Sequence, residues 1–121
     1  MPILYVNGIP PWLNTQYELE ALIDDLQEGV ASVKELNLEQ DQVTVFLLPD
    51  LCCKGLGEEI ICMVEGLFNK PERTKDVRNA LANTLLAVLM RHFLETNLVE
   101  VFVKKFHGDD GYGYASNQEE L

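Results

Sequence analysis

Pro2 is the clearest candidate catalytic residue in this sequence, because it follows Met1 at the start of an apolar run. Trimming of Met1 would turn Pro2 into a free secondary amine at the edge of a sheet. An α-amino group titrates at about pH 8 in water, and burial disfavours its charged form. Such an amine would be largely neutral at working pH and could move a proton from an enol hydroxyl to carbon. If Met1 stays in place, the same nitrogen is an amide and cannot act as a base.

A carboxylate substrate of such a base needs a nearby cation, and the chain offers few. Nine Lys and Arg against twenty Asp and Glu give a net charge of −11, which repels nucleic acid and anionic membranes. Arg73 stands just before a predicted helix, where the helix dipole disfavours a cation by roughly a few tenths of a kcal/mol. Its placement therefore favours a role in binding. Lys70 lies in the same loop, where a solvated surface charge is the simpler interpretation.

The elements that must position these residues follow from hydrophobic periodicity. Residues 1–6 predict a strand, and the Asn, Gly and two prolines of residues 7–11 predict a loop after it. A capping box at Thr15, followed by apolar residues at three- and four-residue steps, predicts a helix to about Leu36. Residues 43–48 are β-branched and aromatic and predict the next strand.

The same pattern then recurs along the chain. Residues 60–66 predict a strand, a helix is expected from Thr74 to about Phe93, and residues 99–103 predict a closing strand. PILYVNG aligns with IICMVEG, and VTVFLL aligns with VEVFVK, which indicates two tandem βαβ units. We therefore predict an α/β fold with a four-stranded sheet and two helices on one face. The other sheet face is apolar and is expected to pack on another subunit.

Length and composition fit one such domain over residues 1–121. Its predicted parts are a first unit over 1–50, a linker over 51–58, a second unit over 59–106 and a C-terminal segment over 107–121. No apolar stretch approaches the roughly 20 residues needed to cross a bilayer, and the N-terminus has no pattern of a secretion signal. Three cysteines with no histidine at metal-ligand spacing favour a reduced, cytoplasmic protein without a metal site.

Three stretches together give the chain a resemblance to a known family. They are Met1-Pro2-Ile3, the segment EGLFNKPERTKDVRNAL and the ending VEVFVKKFHGDDGYGYASN. With the doubled βαβ unit, they resemble the tautomerase superfamily, which includes 4-oxalocrotonate tautomerase and 5-carboxymethyl-2-hydroxymuconate isomerase. The resemblance implies a cofactor-free enzyme, a homotrimer of two-unit chains and an amino-terminal proline that acts as general base or acid.

The resemblance also suggests roles for residues outside the N-terminus. Arg73 matches the family pattern R-[ST]-x-[DE], in which the arginine binds a carboxylate. Lys70 is similar to the first arginine of an RPR segment in the decarboxylase branch. Tyr112 or Tyr114 resembles an aromatic residue that walls off the proline. A glycine-flanked hairpin that packs on a neighbouring subunit is the alternative interpretation of both tyrosines.

The chain departs from the family pattern at four positions. Asn14, Thr44 and Glu100 stand where arginines would be expected, and Ile60 replaces the proline of the second unit. The remaining one-arginine site favours a monoacid or a small keto-enol compound over a dicarboxylate.

The sequence therefore leads to three functional hypotheses. The first is a tautomerase or isomerase that uses Pro2 as general base on a small carboxylic acid. The second is a hydratase or dehalogenase, in which Pro2 is protonated and an acidic residue such as Asp109 or Asp110 activates water. The third is a non-catalytic trimeric protein that kept the fold and lost the site.

Overall fold

The computed structural model describes residues 1–106 and 113–117 of the chain. Its strands and helices follow one another in the predicted order. They are β1 (Ile3–Ile9), α1 (Gln16–Ser32), β2 (Thr44–Pro49), β3 (Glu59–Phe68), α2 (Lys75–His92) and β4 (Leu98–Phe106). Two short 3-10 turns, Lys34–Leu36 and Gln40–Gln42, connect α1 to β2.

The four strands form one mixed sheet in the order β2-β1-β3-β4. Within each βαβ unit the strands are parallel, β1 with β2 and β3 with β4, whereas β1 and β3 pair antiparallel at the centre. This arrangement confirms the predicted sheet of two tandem units. The central register places Ile3 opposite Glu65, so the start of β1 and the end of β3 lie at the same end of the sheet.

Both helices pack on one face of the sheet and against each other. A methyl group placed at Gly29 of α1 would lie 3.5 Å from side-chain carbons of Thr84 and Val88 on α2, so the helices approach closely there. The core between the helices and the sheet consists of buried aliphatic side chains. Those with no measurable exposure include Leu4, Val6, Leu22, Leu26, Leu81, Leu85 and Leu89.

Both helices begin at a threonine cap, of which the sequence predicts the one at Thr15. The hydroxyl of Thr15 accepts a hydrogen bond from the backbone N–H of Glu18 at 3.2 Å, and Thr74 accepts from Val77 at 3.3 Å. Each bond satisfies an N–H group that the helix itself leaves without a partner.

The predicted ends of β1 and α1 are wrong, and β3 and β4 continue beyond their predicted ends, to Phe68 and Phe106. Residues 7–9 continue β1 as a strand, because Asn7 Nδ2 donates to the Ile61 carbonyl at 3.1 Å and Gly8 adopts φ +96° at a bulge. The first helix ends at Ser32, because Val33 has extended backbone angles. The last turn of the predicted helix is instead the 3-10 turn Lys34–Leu36.

Large side chains cross the open face of the sheet in one row. The register aligns Phe46 of β2 with Tyr5 of β1, Tyr5 with Met63 of β3, and Met63 with Phe102 of β4. The rings of Tyr5 and Phe46 stack with centroids 5.7 Å apart. Phe46 and Phe102 are about half exposed in the single chain. One apolar row therefore crosses the face opposite the helices from β2 to β4.

Across the described ranges, 1–106 and 113–117, we find no helix with the length and apolar character needed to cross a membrane.

We expect the three thiols to react with iodoacetamide at very different rates at pH 8. Cys62 faces the helices and is fully buried, and burial raises the pKa of its thiol to about 12, so it stays protonated and inaccessible. Cys52 is exposed and should react first. Mass spectrometry of labelled peptides tests this. Labelling of Cys62 in the folded chain at the rate of Cys52 would contradict the packing.

Candidate active site

A cavity of about 520 Å³ lies at the end of the sheet where the chain begins. Its wall combines the N-terminal residue with both cations that the sequence singles out. Among the lining residues are Met1, Asp41, Thr44, Phe68, Lys70 and Arg73.

Strand directions explain why residues so distant in sequence meet here. Antiparallel pairing brings the end of β3, and hence the loop that carries Lys70 and Arg73, to the start of β1. Parallel pairing of β1 with β2 brings the start of β2 to the same place, and with it the turn Gln40–Gln42. The cavity is thus formed by the connections at one end of the sheet.

Pro2 is buried at this end and is held through its backbone. Its carbonyl accepts a hydrogen bond from the N–H of Thr44 at 3.2 Å. The ammonium group of Met1 donates to the carbonyl of Gln42 at 3.1 Å. While Met1 is attached, the Pro2 nitrogen is an amide without a basic lone pair.

Gln42 is itself fixed by the 3-10 turn that precedes β2. Its side-chain oxygen accepts from the N–H of Glu39 at 2.8 Å, and its own N–H donates to the Glu39 carbonyl at 3.1 Å. The acceptor of the Met1 ammonium group is therefore part of a closed turn.

Arg73 is buried, with only 6% of its surface exposed, although it lines the cavity. Its Nη1 donates to the Phe68 carbonyl at 3.0 Å, and its Nη2 donates to the Leu36 carbonyl at 3.1 Å. The side chain therefore ties the end of β3 to the turn that follows α1. Sequence reasoning missed this structural role, because Leu36 is 37 residues away in the chain.

The charge of Arg73 remains available to the cavity. Burial lowers the pKa of the guanidinium, and the neighbouring Glu72 opposes that shift. An arginine nevertheless stays protonated in proteins, and a guanidinium has five N–H donors. Among the described residues, no hydrogen-bond partner is found for the buried Nε of Arg73.

Lys70 lines the same wall as Arg73 but differs from it in exposure to solvent. Its side chain is exposed, and its carbonyl accepts from the backbone N–H of Arg73 at 2.9 Å. One tight turn therefore presents an exposed ammonium group beside a buried guanidinium.

Tyr114 contacts the cavity wall through an aromatic cluster. Its ring lies 5.5 Å from that of Phe68 and 5.9 Å from that of Phe106, and the two phenylalanine rings are 5.2 Å apart. Tyr114 is 45% exposed, so it covers the side of Phe68 rather than closing the cavity. The other predicted tyrosine, Tyr112, lies outside the described residues, as do Asp109 and Asp110.

Asp41 lines the cavity and was not among the predicted site residues. It stands in the 3-10 turn Gln40–Gln42, and its side chain is exposed. The only signal in the sequence is a short polar run before a strand, which occurs in many surface loops. The parallel register of β1 and β2 places this particular run beside the N-terminus.

Solved structures share this architecture over nearly the whole chain. A fused 4-OT wild-type symmetric trimer matches with a TM-score of 0.65 and 19% identity, covering 87% of this chain and 85% of that chain. A member of the cis-3-chloroacrylic acid dehalogenase family matches with a TM-score of 0.69 and 14% identity, covering 95% and 82%. The chain has the fold of the tautomerase superfamily.

A malonate semialdehyde decarboxylase adds a third match to this tautomerase fold, with a TM-score of 0.56 and 14% identity over 97% of this chain and 93% of that chain. No family model matches the sequence, and no curated protein matches it either. The fold that the sequence resemblance implies is thus confirmed.

We expect the substitution Arg73→Met to lower the free energy of unfolding by about 1–3 kcal/mol, because the buried bond to the Leu36 carbonyl and the partly buried bond to the Phe68 carbonyl are both lost. Lys70→Met is the matched control. It removes an exposed ammonium group from the same turn and should change stability by less than about 0.5 kcal/mol. Urea unfolding followed by circular dichroism measures both. Equal stability of the two variants would refute the structural role of Arg73.

Proposed function

We propose that this chain is a cofactor-independent tautomerase or isomerase of a small keto-enol or unsaturated carboxylic acid. In this proposal Met1 is removed and the Pro2 nitrogen becomes the general base. The proposal rests chiefly on one observation, that the N-terminal residue lines a cavity together with Lys70 and Arg73.

Each residue has a distinct part in the proposed reaction. The Pro2 amine takes a proton from the enol hydroxyl and returns it to carbon, which leaves no change in oxidation state. Lys70 binds the substrate carboxylate, because its ammonium group is exposed and free to adjust. Arg73 stabilises the developing negative charge from its fixed position in the wall.

The negative net charge of the chain supports a role for Lys70 and Arg73 in binding an anion. A chain with a net charge of −11 repels anions in general, so an acid would bind only where positive charge is concentrated. Burial of Pro2 favours the neutral form of its amine, as a general base requires.

We propose a homotrimer as the working assembly, in the cytoplasm. The row from Phe46 to Phe102 is an apolar strip of the sheet, and the described residues leave both of its ends about half exposed. Some of the matched structures are described as trimers. Burial of this face in an assembly would remove the apolar row from water.

We expect Pro2→Ala to lower kcat/KM for ketonisation of the enol of phenylpyruvate by about 100- to 10,000-fold, the usual contribution of a general base. The assay is run on chain whose intact mass shows that Met1 is absent. Pro11→Ala, an exposed proline in the loop after β1, serves as the control and should keep its activity. Three outcomes would each reject the proposal. They are equal activity of Pro2→Ala and the parent, no activity in the parent, and retention of Met1 in the native protein. Retention would favour the non-catalytic alternative.

A second candidate function is hydration or dehalogenation of an unsaturated acid, and Asp41 favours it. Such a reaction needs a protonated amine together with a carboxylate that activates water, and Asp41 lines the cavity beside Met1. Some matched structures are named for a dehalogenase family and for decarboxylase and hydratase activities.

For this second function we expect Asp41→Asn to abolish chloride release from 3-chloroacrylate, because an amide cannot take a proton from water. Asp24→Asn, an exposed carboxylate on α1, is the matched control. An NMR titration of the Pro2 amine decides between the two functions. A pKa well above neutrality supports hydration, whereas a pKa below neutrality supports the tautomerase and excludes the second candidate.

A further inference from the structure

The side chain of Met1 stands between two cavities. One is the large cavity that contains Lys70 and Arg73, and the other is a smaller cavity of about 180 Å³ on the open face of the sheet. Met1 lines both. Its removal therefore changes more than the chemistry of the Pro2 nitrogen, since it also empties the space that separates the cavities.

Gly66 is the residue that makes room for the Met1 side chain. A methyl group at Gly66 would lie 2.6 Å from Met1 Cε and 3.6 Å from Met1 Sδ. The backbone at Gly66 has φ +72°, and the register of β3 with β4 shifts at this point. The bulge and the absence of a side chain at Gly66 together leave a space over this residue, which we call the cradle over Gly66. The unbranched thioether side chain of Met1 fills it.

The smaller cavity adjoins this cradle and has both apolar and charged lining residues. Ile3 and Phe106 line it, and its charged lining residues are Lys104 and Glu65, which form an ion pair at 3.4 Å, and the exposed Lys105. The pair largely cancels its own charge. The space next to Gly66 is itself filled by the uncharged, flexible side chain of Met1, so an alkyl chain of similar length matches its shape.

We propose that the cradle over Gly66 becomes an apolar subsite once Met1 is removed, and that it binds an unbranched alkyl substituent of the substrate. This inference rests on the proposed function for the removal of Met1. The substrate class is then a 2-oxo acid, or its enol, whose carboxylate lies at Lys70 and whose alkyl chain replaces the Met1 side chain.

Hydrogen–deuterium exchange at C3 of 2-oxo acids tests the subsite. Pro2 removes a C3 proton, the bonding pair forms the enolate, and the amine returns a deuteron taken from solvent, so no oxidant or reductant is needed. We expect kcat/KM, measured by NMR, to rise about fourfold per methylene from 2-oxobutanoate to 2-oxohexanoate, the usual gain for a buried methylene.

Two substitutions that fill the cradle should flatten this dependence on chain length. Gly66→Ala places a methyl group where Met1 Cε lies, and Ile3→Phe narrows the same space from β1. Ile3→Phe decides the question if the positive φ at residue 66 prevents Gly66→Ala from folding. Ile61→Phe is the matched control, because it lies on the same sheet face opposite Asn7, away from Met1. A flattened dependence in the Ile61→Phe variant as well would overturn the assignment.

Calorimetry separates failure of the subsite from failure of the proposed reaction. Butanoate and hexanoate are titrated into the trimmed chain and into chain prepared with a methionine aminopeptidase inhibitor so that Met1 is retained. Tighter binding of hexanoate by the trimmed chain alone, by about tenfold or more, supports the subsite even if no exchange occurs. Equal binding of both acids by the trimmed chain refutes the subsite, and exchange activity without length dependence refutes it while the proposed reaction stands.

Discussion

The antiparallel pairing of β1 with β3 is the constraint on which the rest of the structure depends. It joins the two βαβ units at the centre of the sheet and sets Ile3 opposite Glu65. Because of this register, the N-terminus, the loop after β3 and the turn before β2 meet at one end. A parallel pairing of the same two strands would place the N-terminus and the cationic loop at opposite ends of the sheet. The candidate site is thus a consequence of strand direction.

Arg73 has two roles, a structural one and a place in the wall of the candidate site. From the sequence alone the two roles look like alternatives. Its guanidinium joins two backbone carbonyls, which explains why a cation is tolerated just before α2. The same side chain lies in the wall of the cavity beside Met1. A guanidinium held by backbone oxygens loses little freedom when an anion approaches, so it suits charge stabilisation. Lys70, solvated and movable, suits capture of the anion.

Met1 likewise affects the proposed site in two ways. It caps the Pro2 nitrogen, and its side chain fills the cradle over Gly66. Removal of one residue would therefore create a base and empty a space beside it in the same step. The glycine is required at that position, because a side chain at φ +72° would be strained and would also occupy the cradle.

The sequence by itself determined the order of the elements, the cap at Thr15 and the face that each helix buries, because these follow from local periodicity and hydrogen bonding. It also singled out Pro2, Lys70 and Arg73. It missed the continuation of β1 through residues 7–9, which depends on a hydrogen bond from Asn7 to the distant Ile61. Only the tertiary structure placed Asp41 and Gly66 at the N-terminus and turned Arg73 onto backbone carbonyls. Those outcomes depend on the register between strands far apart in the chain, and no local pattern encodes that register.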